Sequence, residues 1–253
     1  MGANLNIAAL RTRFRENGVV HIPKALDPFC LTLAEQCFEW TLNNPGPGAG
    51  AVLAGTPGTF YQDQANPDAF PAYKELLCDT NIPDLAAALF DCDNIWLMYE
   101  QIWLKDGADT RRTPWHQDLP YLPAAGDHLA VFWTCLDPVE KVDSLEFVTG
   151  SHRGPLYNPS AFNPDDVSAN LFDDPQYPQM PDVDAGRDSF SISSWSMEPG
   201  DIVIFHPAML HGGAQTRAGI RRRTLSLRFF GDDAWCAKRP HDGMANVDGL
   251  KHD

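Results

Sequence analysis

The chain has 253 residues, 43% of them apolar and 11% aromatic, which is enough for a sizeable core and too hydrophobic for a disordered polymer. Its 19 Lys+Arg against 34 Asp+Glu leave a formal net charge of −15, with no surplus of positive charge to neutralise the phosphates of a nucleic-acid partner. No long uncharged apolar run occurs, and the opening Met1-Gly2-Ala3-Asn4-Leu5-Asn6-Ile7 lacks the charged and apolar regions of an export signal, so a cytoplasmic protein without a membrane partner is expected.

In chain order, the first third reads as helical. Leu5 to Glu16 carries apolar residues on a loosely helical period, and Gly18 ends it. Val19-Val20-His21-Ile22-Pro23 is a short strand. Asp27 before Pro28 is a helix start, an N-cap acceptor followed by a ring already set at the helical φ, and the apolar period runs to about Leu42. Cys30 and Cys37 lie seven apart on this helix and are expected on its buried face. None of the six cysteines forms a C-x-x-C pair, so free thiols are expected. The Pro- and Gly-rich stretch Asn43 to Gly58 holds no Gly-Lys-Ser/Thr and reads as a surface loop. Helices follow near Pro67–Cys78 and Ile82–Phe90.

From Asn94 the pattern becomes that of strands: Ile95–Leu104, Leu129–Leu136, Ser189–Met197, Asp201–Phe205 and Thr224–Phe230. Short strands parted by Gly/Pro turns, with no helices between them, argue for an antiparallel sandwich rather than βαβ units. Arg153 to Arg187 is long, rich in Pro and Asp and dotted with aromatics, as expected of a lid or binding loop. One domain over 1–253 is expected, with a mainly helical part (1–93), a β core (94–235) and a lid-like insertion (153–187).

The chemistry begins at Trp115-His116-Gln117-Asp118. On a strand, residues i and i+2 share a face, which brings an imidazole and a carboxylate within reach of one metal ion. With 8 His and 34 acidic residues, chance alone supplies about one such pair. A second signal lies downstream, where the turn Glu198-Pro199-Gly200-Asp201 leads into the strand Ile202–Phe205 and then Leu210-His211-Gly212-Gly213. His211 would complete two histidines and one carboxylate on one face of a metal, the arrangement suited to non-haem Fe(II) and O2 chemistry. His206, five residues earlier, is the rival ligand, and its plainer role is to cap the strand it ends. In Arg221-Arg222-Arg223, alternation turns Arg222 to the face opposite its neighbours. It is there either a solvated edge charge or a buried partner for a carboxylate.

The ordered stretches Trp115-His116-Gln117-Asp118-Leu119-Pro120-Tyr121, Phe132-Trp133-Thr134-Cys135-Leu136-Asp137, Leu145-Glu146-Phe147-Val148-Thr149-Gly150-Ser151-His152-Arg153 and the turn-strand-His-Gly block ending at Gly213 resemble the phytanoyl-CoA dioxygenase family of Fe(II)- and 2-oxoglutarate-dependent oxygenases. The resemblance implies a mainly β fold with flanking α-helices: a double-stranded β-helix (jelly-roll, cupin-like) behind N-terminal helices. It also implies iron ligands at His116, Asp118 and His211, and Arg222 as the partner of the distal carboxylate of 2-oxoglutarate. Gln117, Trp133, Tyr99 and Gln101 are the further expected cosubstrate contacts. Val142-Asp143-Ser144-Leu145 stands where members often carry an Asn-Gly turn. The implied reaction consumes O2 and 2-oxoglutarate, releases succinate and CO2, and oxidises a small-molecule substrate, with hydroxylation as the default. Asp118 argues against a halogenase, which carries a small residue there. A cupin-like metal-dependent isomerase and a non-catalytic jelly-roll binding module are the alternatives. The final Leu250-Lys251-His252-Asp253 is no peroxisomal address. Arg112, Arg228 and the aromatics of 153–187 suit a pocket for a small acid or amino-acid-like molecule and equally one for a natural-product scaffold, so substrate identity is not legible in the sequence, and neither is oligomeric state.

Overall fold

Two helices begin where an acceptor stands ahead of an apolar stripe. In α1 (Ile7–Asn17) the Asn6 side chain accepts from the Ala9 amide, and Gly18, at φ 74°, closes the helix in the left-handed conformation that suits glycine. In α2 (Pro28–Asn43) Asp27 accepts from the Cys30 amide. The two shorter helices, α3 (Phe70–Cys78) and α4 (Ile82–Phe90), each carry a proline in the first turn, where a missing N–H costs no helical bond. The computed structural model describes residues 5–52, 55, 58–107, 110–163, 165–166, 168–213 and 215–240. The C-terminal tetrapeptide lies outside them.

The strands are β1 (Val19–Ile22), β2 (Gly50–Ala51), β3 (Thr59–Gln64), β4 (Ile95–Asp106), β5 (Thr113–His116), β6 (Ala124–Ala125), β7 (Leu129–Cys135), β8 (Leu145–Val148), β9 (Ile192–Ser193), β10 (Ile202–Phe205), β11 (His211–Gly213), β12 (Arg222–Gly231) and β13 (Trp235–Cys236). They form a seven-stranded sheet in the order β1-β10-β7-β12-β4-β3-β2, a four-stranded sheet β5-β11-β8-β9 and a small β13-β6 pair. Every pairing is antiparallel, and the two larger sheets make the expected jelly-roll core.

The period-2 alternation of the central strands decides what each face meets. Ala130 and Phe132 of β7, with Leu225, Leu227 and Phe229 of β12, pack with the apolar faces of α1 to α4. The intervening Val131, Trp133 and Cys135 turn to the other side and pack with Phe147, Met197, Phe205 and Met209. On β12 the same alternation gives the inner side a polar row of Arg222, Thr224, Ser226 and Arg228, all buried. Burying that many polar groups is costly without partners, so this row marks where the fold serves something other than stability.

Some expectations are corrected. The strand β3 (Thr-Phe-Tyr-Gln-Asp-Gln) opens on three strand formers but goes on as Gln-Asp-Gln, and it pairs along the second half of the edge of β4, from Gln101 to Asp106, while β2 sits inside the stretch read as loop. Ser189–Met197 is not one strand. Only Ile192 and Ser193 find partners, on Val148 and Phe147 of the short β8, while Met197 bridges separately to Val139. Cys30 and Cys37 are buried, and all six thiols are free. No helix among the described residues is long and apolar enough to cross a membrane.

Candidate metal centre

His116 is the last residue of β5 and His211 the first of β11, and the two are direct cross-strand partners. Their ring centroids lie 4.1 Å apart. Gly212 allows this approach: a Cβ there would stand 3.1 Å from the Thr113 carbonyl oxygen and from backbone atoms of Trp115. Asp118 does not share a strand face with His116, as the i, i+2 argument supposed. The strand stops at His116, and Asp118 has helical backbone angles (φ −74°, ψ −34°) at the start of a 3-10 turn over Leu119–Tyr121. That turn swings the carboxylate back over the histidines: Asp118 Oδ1 lies 3.4 Å from His116 Nε2 and 3.7 Å from His211 Nε2.

Among the described residues, His116, Asp118 and His211 are the group whose ligand atoms, all within 4.8 Å of one another, suit a metal ion. The tautomers fit that use. His116 Nδ1 lies 2.8 Å from the Pro114 carbonyl and His211 Nδ1 3.0 Å from the Met209 carbonyl. A carbonyl only accepts, so each Nδ1 carries the proton and each Nε2 offers its lone pair to the shared space. Burial, reinforced by the neighbouring His116, pushes His211 down to about 4 and keeps it neutral. Burial alone would raise the Asp118 carboxyl, but Arg228 and the imidazoles outweigh it and hold the group well below the usual carboxylate range. Two imidazole nitrogens and a carboxylate are the donor set a divalent cation needs.

All three line an inner cavity, and His116 and Asp118 also line an outer cleft that meets it. The inner one, about 50 Å³, runs between the sheets past Trp133, Thr224 and Ser226 to Arg222. Arg222 is only 4% exposed. Its Nη1 donates to the Asp143 carbonyl at 2.7 Å, in the segment where the sequence departs from the common Asn-Gly turn. Its Nε and the Thr224 hydroxyl are buried without a partner. Burial lowers this guanidinium to about 10, so it stays charged at neutral pH. Arg221 is exposed, and Arg223 pairs with Asp137 on the other side, as alternation requires. A buried cation and an orphan hydroxyl at the end of a cavity that starts at three metal donors fit a chelating keto-dicarboxylate. The outer cleft, about 230 Å³, shares His116, Asp118, Trp103 and Arg228 with the inner one and adds Tyr99, Gln101 and Phe162.

The phytanoyl-CoA dioxygenase family model matches residues 14–224. The chain belongs to that family. A probable phytanoyl-CoA dioxygenase of Caenorhabditis elegans is 31% identical over 130 residues, 51% of this chain and 39% of that protein. The peroxisomal phytanoyl-CoA dioxygenase of Mus musculus is 30% identical over 143 residues, 56% of this chain and 40% of that protein. This phytanoyl-CoA dioxygenase family chain thus aligns with about two fifths of those relatives' length. Among solved structures, the epimerase SnoN in complex with Fe3+, alpha ketoglutarate and nogalamycin RO superposes with a TM-score of 0.73 at 19% identity, over 98% of this chain and 92% of that one. The apo form of EctD from S. alaskensis gives 0.71 at 13% identity, over 95% and 82%. These likenesses carry the fold.

The family-derived contacts divide in two. Tyr99, Gln101 and Trp133 line the cavities. Tyr99 is pushed up to about 12 by burial and stays protonated. Gln117 does not line them: its side chain points opposite to its two neighbours, donates to the Ala208 and Pro155 carbonyls, and accepts from the Tyr157 amide. It anchors the start of the 153–187 segment. His206 stands apart from the trio, with Nε2 3.2 Å from the Gly126 carbonyl and Nδ1 accepting from the Ala208 amide, as a strand-end cap. His152 Nε2 lies 3.1 Å from the Arg15 carbonyl.

Thr224, which lines the inner cavity, and Lys105, which pairs across the sheet with Arg222, escaped the sequence reading, whereas Arg228 entered it only as a residue of a substrate pocket. Lys105 faces Arg222 across β4 and β12, with its ammonium 3.8 Å over the Phe60 ring and 2.9 Å from the Arg111 carbonyl. Burial, then Arg222 and Arg112, drives it well below the ordinary lysine range. The available signal was the alternation of β12, on which Arg222, Thr224, Ser226 and Arg228 share one face.

Proposed function

We propose that this chain is an Fe(II)- and 2-oxoglutarate-dependent oxygenase that hydroxylates, or otherwise oxidises, a small molecule, converting O2 and 2-oxoglutarate into CO2 and succinate. One observation carries the reading: three metal donors open onto a cavity that ends at a buried, incompletely partnered arginine. His116, Asp118 and His211 would hold the iron, which supplies O2 activation coupled to decarboxylation of the cosubstrate. The protein's own residues set the rest. The Pro114 and Met209 carbonyls fix the imidazole tautomers. Arg222 and Thr224 take the distal carboxylate and set which way the cosubstrate points, with Trp133 beside it. Tyr99 and Gln101 face the region where cosubstrate and substrate meet. Phe162, on the 153–187 segment, stands edge-on to His116 at 5.4 Å and limits water access, which supports a lid role for that segment within a single catalytic domain.

A cupin-like isomerase or a binding module has no use for a buried cation at the end of the metal cavity, which favours the oxygenase. Hydroxylation is the default outcome. The structurally similar SnoN and SnoK are an epimerase and a carbocyclase, so an outcome in which no hydroxyl is transferred to the substrate is the second reading. A cytoplasmic setting is proposed on composition alone. The deciding experiment is anaerobic titration of Fe(II)-loaded protein with 2-oxoglutarate. The weak visible band of the chelate should appear at one equivalent, and admitting O2 should then yield succinate. Metal binding without the band would leave the isomerase, and no metal binding the binding module.

A further inference from the structure

Arg228 is 6% exposed and makes one charged contact, from Nη2 to Asp118 Oδ2 at 3.2 Å. Its other two nitrogens, Nε and Nη1, have no hydrogen-bond partner. Its guanidinium carbon lies 4.6 Å over the Tyr99 ring, and both side chains line the outer cleft. A guanidinium placed there only to steady Asp118 has no need to leave two buried nitrogens bare, and a buried donor without a partner is costly.

The rest of the outer cleft is consistent with an anionic guest. Asp118 is its one acidic lining residue among those described, and its carboxylate is committed to the metal donor set and to Arg228. Gln62, Gln64 and Gln101 are neutral, with the Gln101 amide donating to Gln62 Oε1 and its own oxygen left bare. The formal charges also leave a surplus. Two neutral imidazoles, Asp118, Arg222, Arg228, a divalent metal and a cosubstrate dianion leave about +1 at the centre, without counting Lys105. On a chain of net −15 this cationic centre is local and buried.

We infer that the primary substrate carries a carboxylate, and that Arg228 receives it from the wall of the outer cleft and so determines specificity. The inference rests on the oxygenase reading, because that reading assigns the inner cavity and Arg222 to 2-oxoglutarate and leaves Arg228 to the substrate. A carboxylate matches the planar donor fork better than a neutral acceptor does, and the substrate's oxidised carbon would then lie a short reach from the group that anchors it.

The test uses the full chain loaded with Mn(II) and N-oxalylglycine, an unreactive analogue of 2-oxoglutarate. Straight-chain and aryl carboxylic acids, each beside the primary amide of the same skeleton, are screened for binding by ligand-observed NMR. Acids should bind, and their amides at least about tenfold more weakly, the ratio expected of a charge-assisted pair. Arg228→Gln should abolish that preference while N-oxalylglycine affinity stays within about threefold. Should Arg228→Gln release the metal through Asp118, Arg228→Lys, which keeps the charge beside that carboxylate, should retain it and bind the acids several-fold more weakly for want of the fork. Equal binding of acids and amides, no acid binding by loaded wild type, or undiminished acid affinity in the variants overturns the inference alone. Failure of wild type to take up Mn(II) and N-oxalylglycine overturns the oxygenase reading, and the inference with it.

Discussion

At the scale of single residues, the site separates jobs that one sequence pattern runs together. Arg222 touches none of the metal donors, so Arg222→Ala should raise the Kd for 2-oxoglutarate about 100-fold, the loss of one or two charged hydrogen bonds, while metal affinity stays within about twofold. Anaerobic titration of the chelate band reads the first and chelator competition the second. His206 makes a different point. Its imidazole is buried, capped on both nitrogens and pushed down to about 4. Unfolding returns it to an ordinary histidine, so the unfolded chain binds more protons between pH 6.5 and 4, and stability falls as pH falls through that window. At full effect the difference is about 3 kcal/mol. His206→Gln should therefore flatten the decline of urea-unfolding stability between pH 7 and 5, and an unchanged slope would refute this origin. His116, Asp118, His211 and Arg222 were legible as candidates because several motifs in one order resemble a family, since a His-x-Asp pair or an arginine on a strand is not unusual by itself. Thr224 was not, and Arg228 was legible only as one of several residues suited to a substrate pocket, because an arginine or threonine on a strand is ordinary until its buried, unpaired atoms are known.

At the scale of elements, the histidines meet because β5 and β11 lie side by side at full strand contact. Gly212→Ala would set a methyl 3.1 Å from the backbone of β5 and push that strand outward. Metal affinity should fall about tenfold with little change in the far-UV spectrum. The end of the 153–187 segment is tied down by Glu146 of β8, which pairs with Arg112 and with Arg187. Both pairs are lost in Glu146→Ala, so amide exchange across residues 182–190 should speed up while that of β7 and β12 is unaltered; uniform exchange in both regions would show that the pairs do not restrain the segment. Helices α1, α2 and α4 follow from caps, prolines and period. The polar β3 and the brief β9 did not, because their pairing is decided by the edge they meet: β4 offers a long free edge and β8 a short one.

At the scale of the whole molecule, the large sheet has one face for stability and one for chemistry. Phe132 packs edge-to-face on Phe229, 5.1 Å away, beneath the helices, whereas the adjacent Trp133 lines the inner cavity. Phe132→Ala should cost about 3–5 kcal/mol of unfolding free energy yet leave 2-oxoglutarate affinity of the folded fraction within about twofold. A variant equally damaged in both would show that the faces are coupled. The net charge of −15 fits the same division: acidic residues dominate the chain's total, and the cations that matter to the site lie between the sheets.

The sequence by itself determined an antiparallel β core behind helices, because strand alternation and cap chemistry are local signals, and through the resemblance carried by its ordered motifs it singled out His116, Asp118, His211 and Arg222 as candidates. Only the tertiary structure decided that Asp118 reaches the histidines from a helical turn, that Gln117 faces away, and that Arg228 stands with two bare nitrogens beside a metal ligand. Each of these depends on which strand becomes the neighbour of which, and on where a strand stops, and those are set by the packing of two sheets against each other.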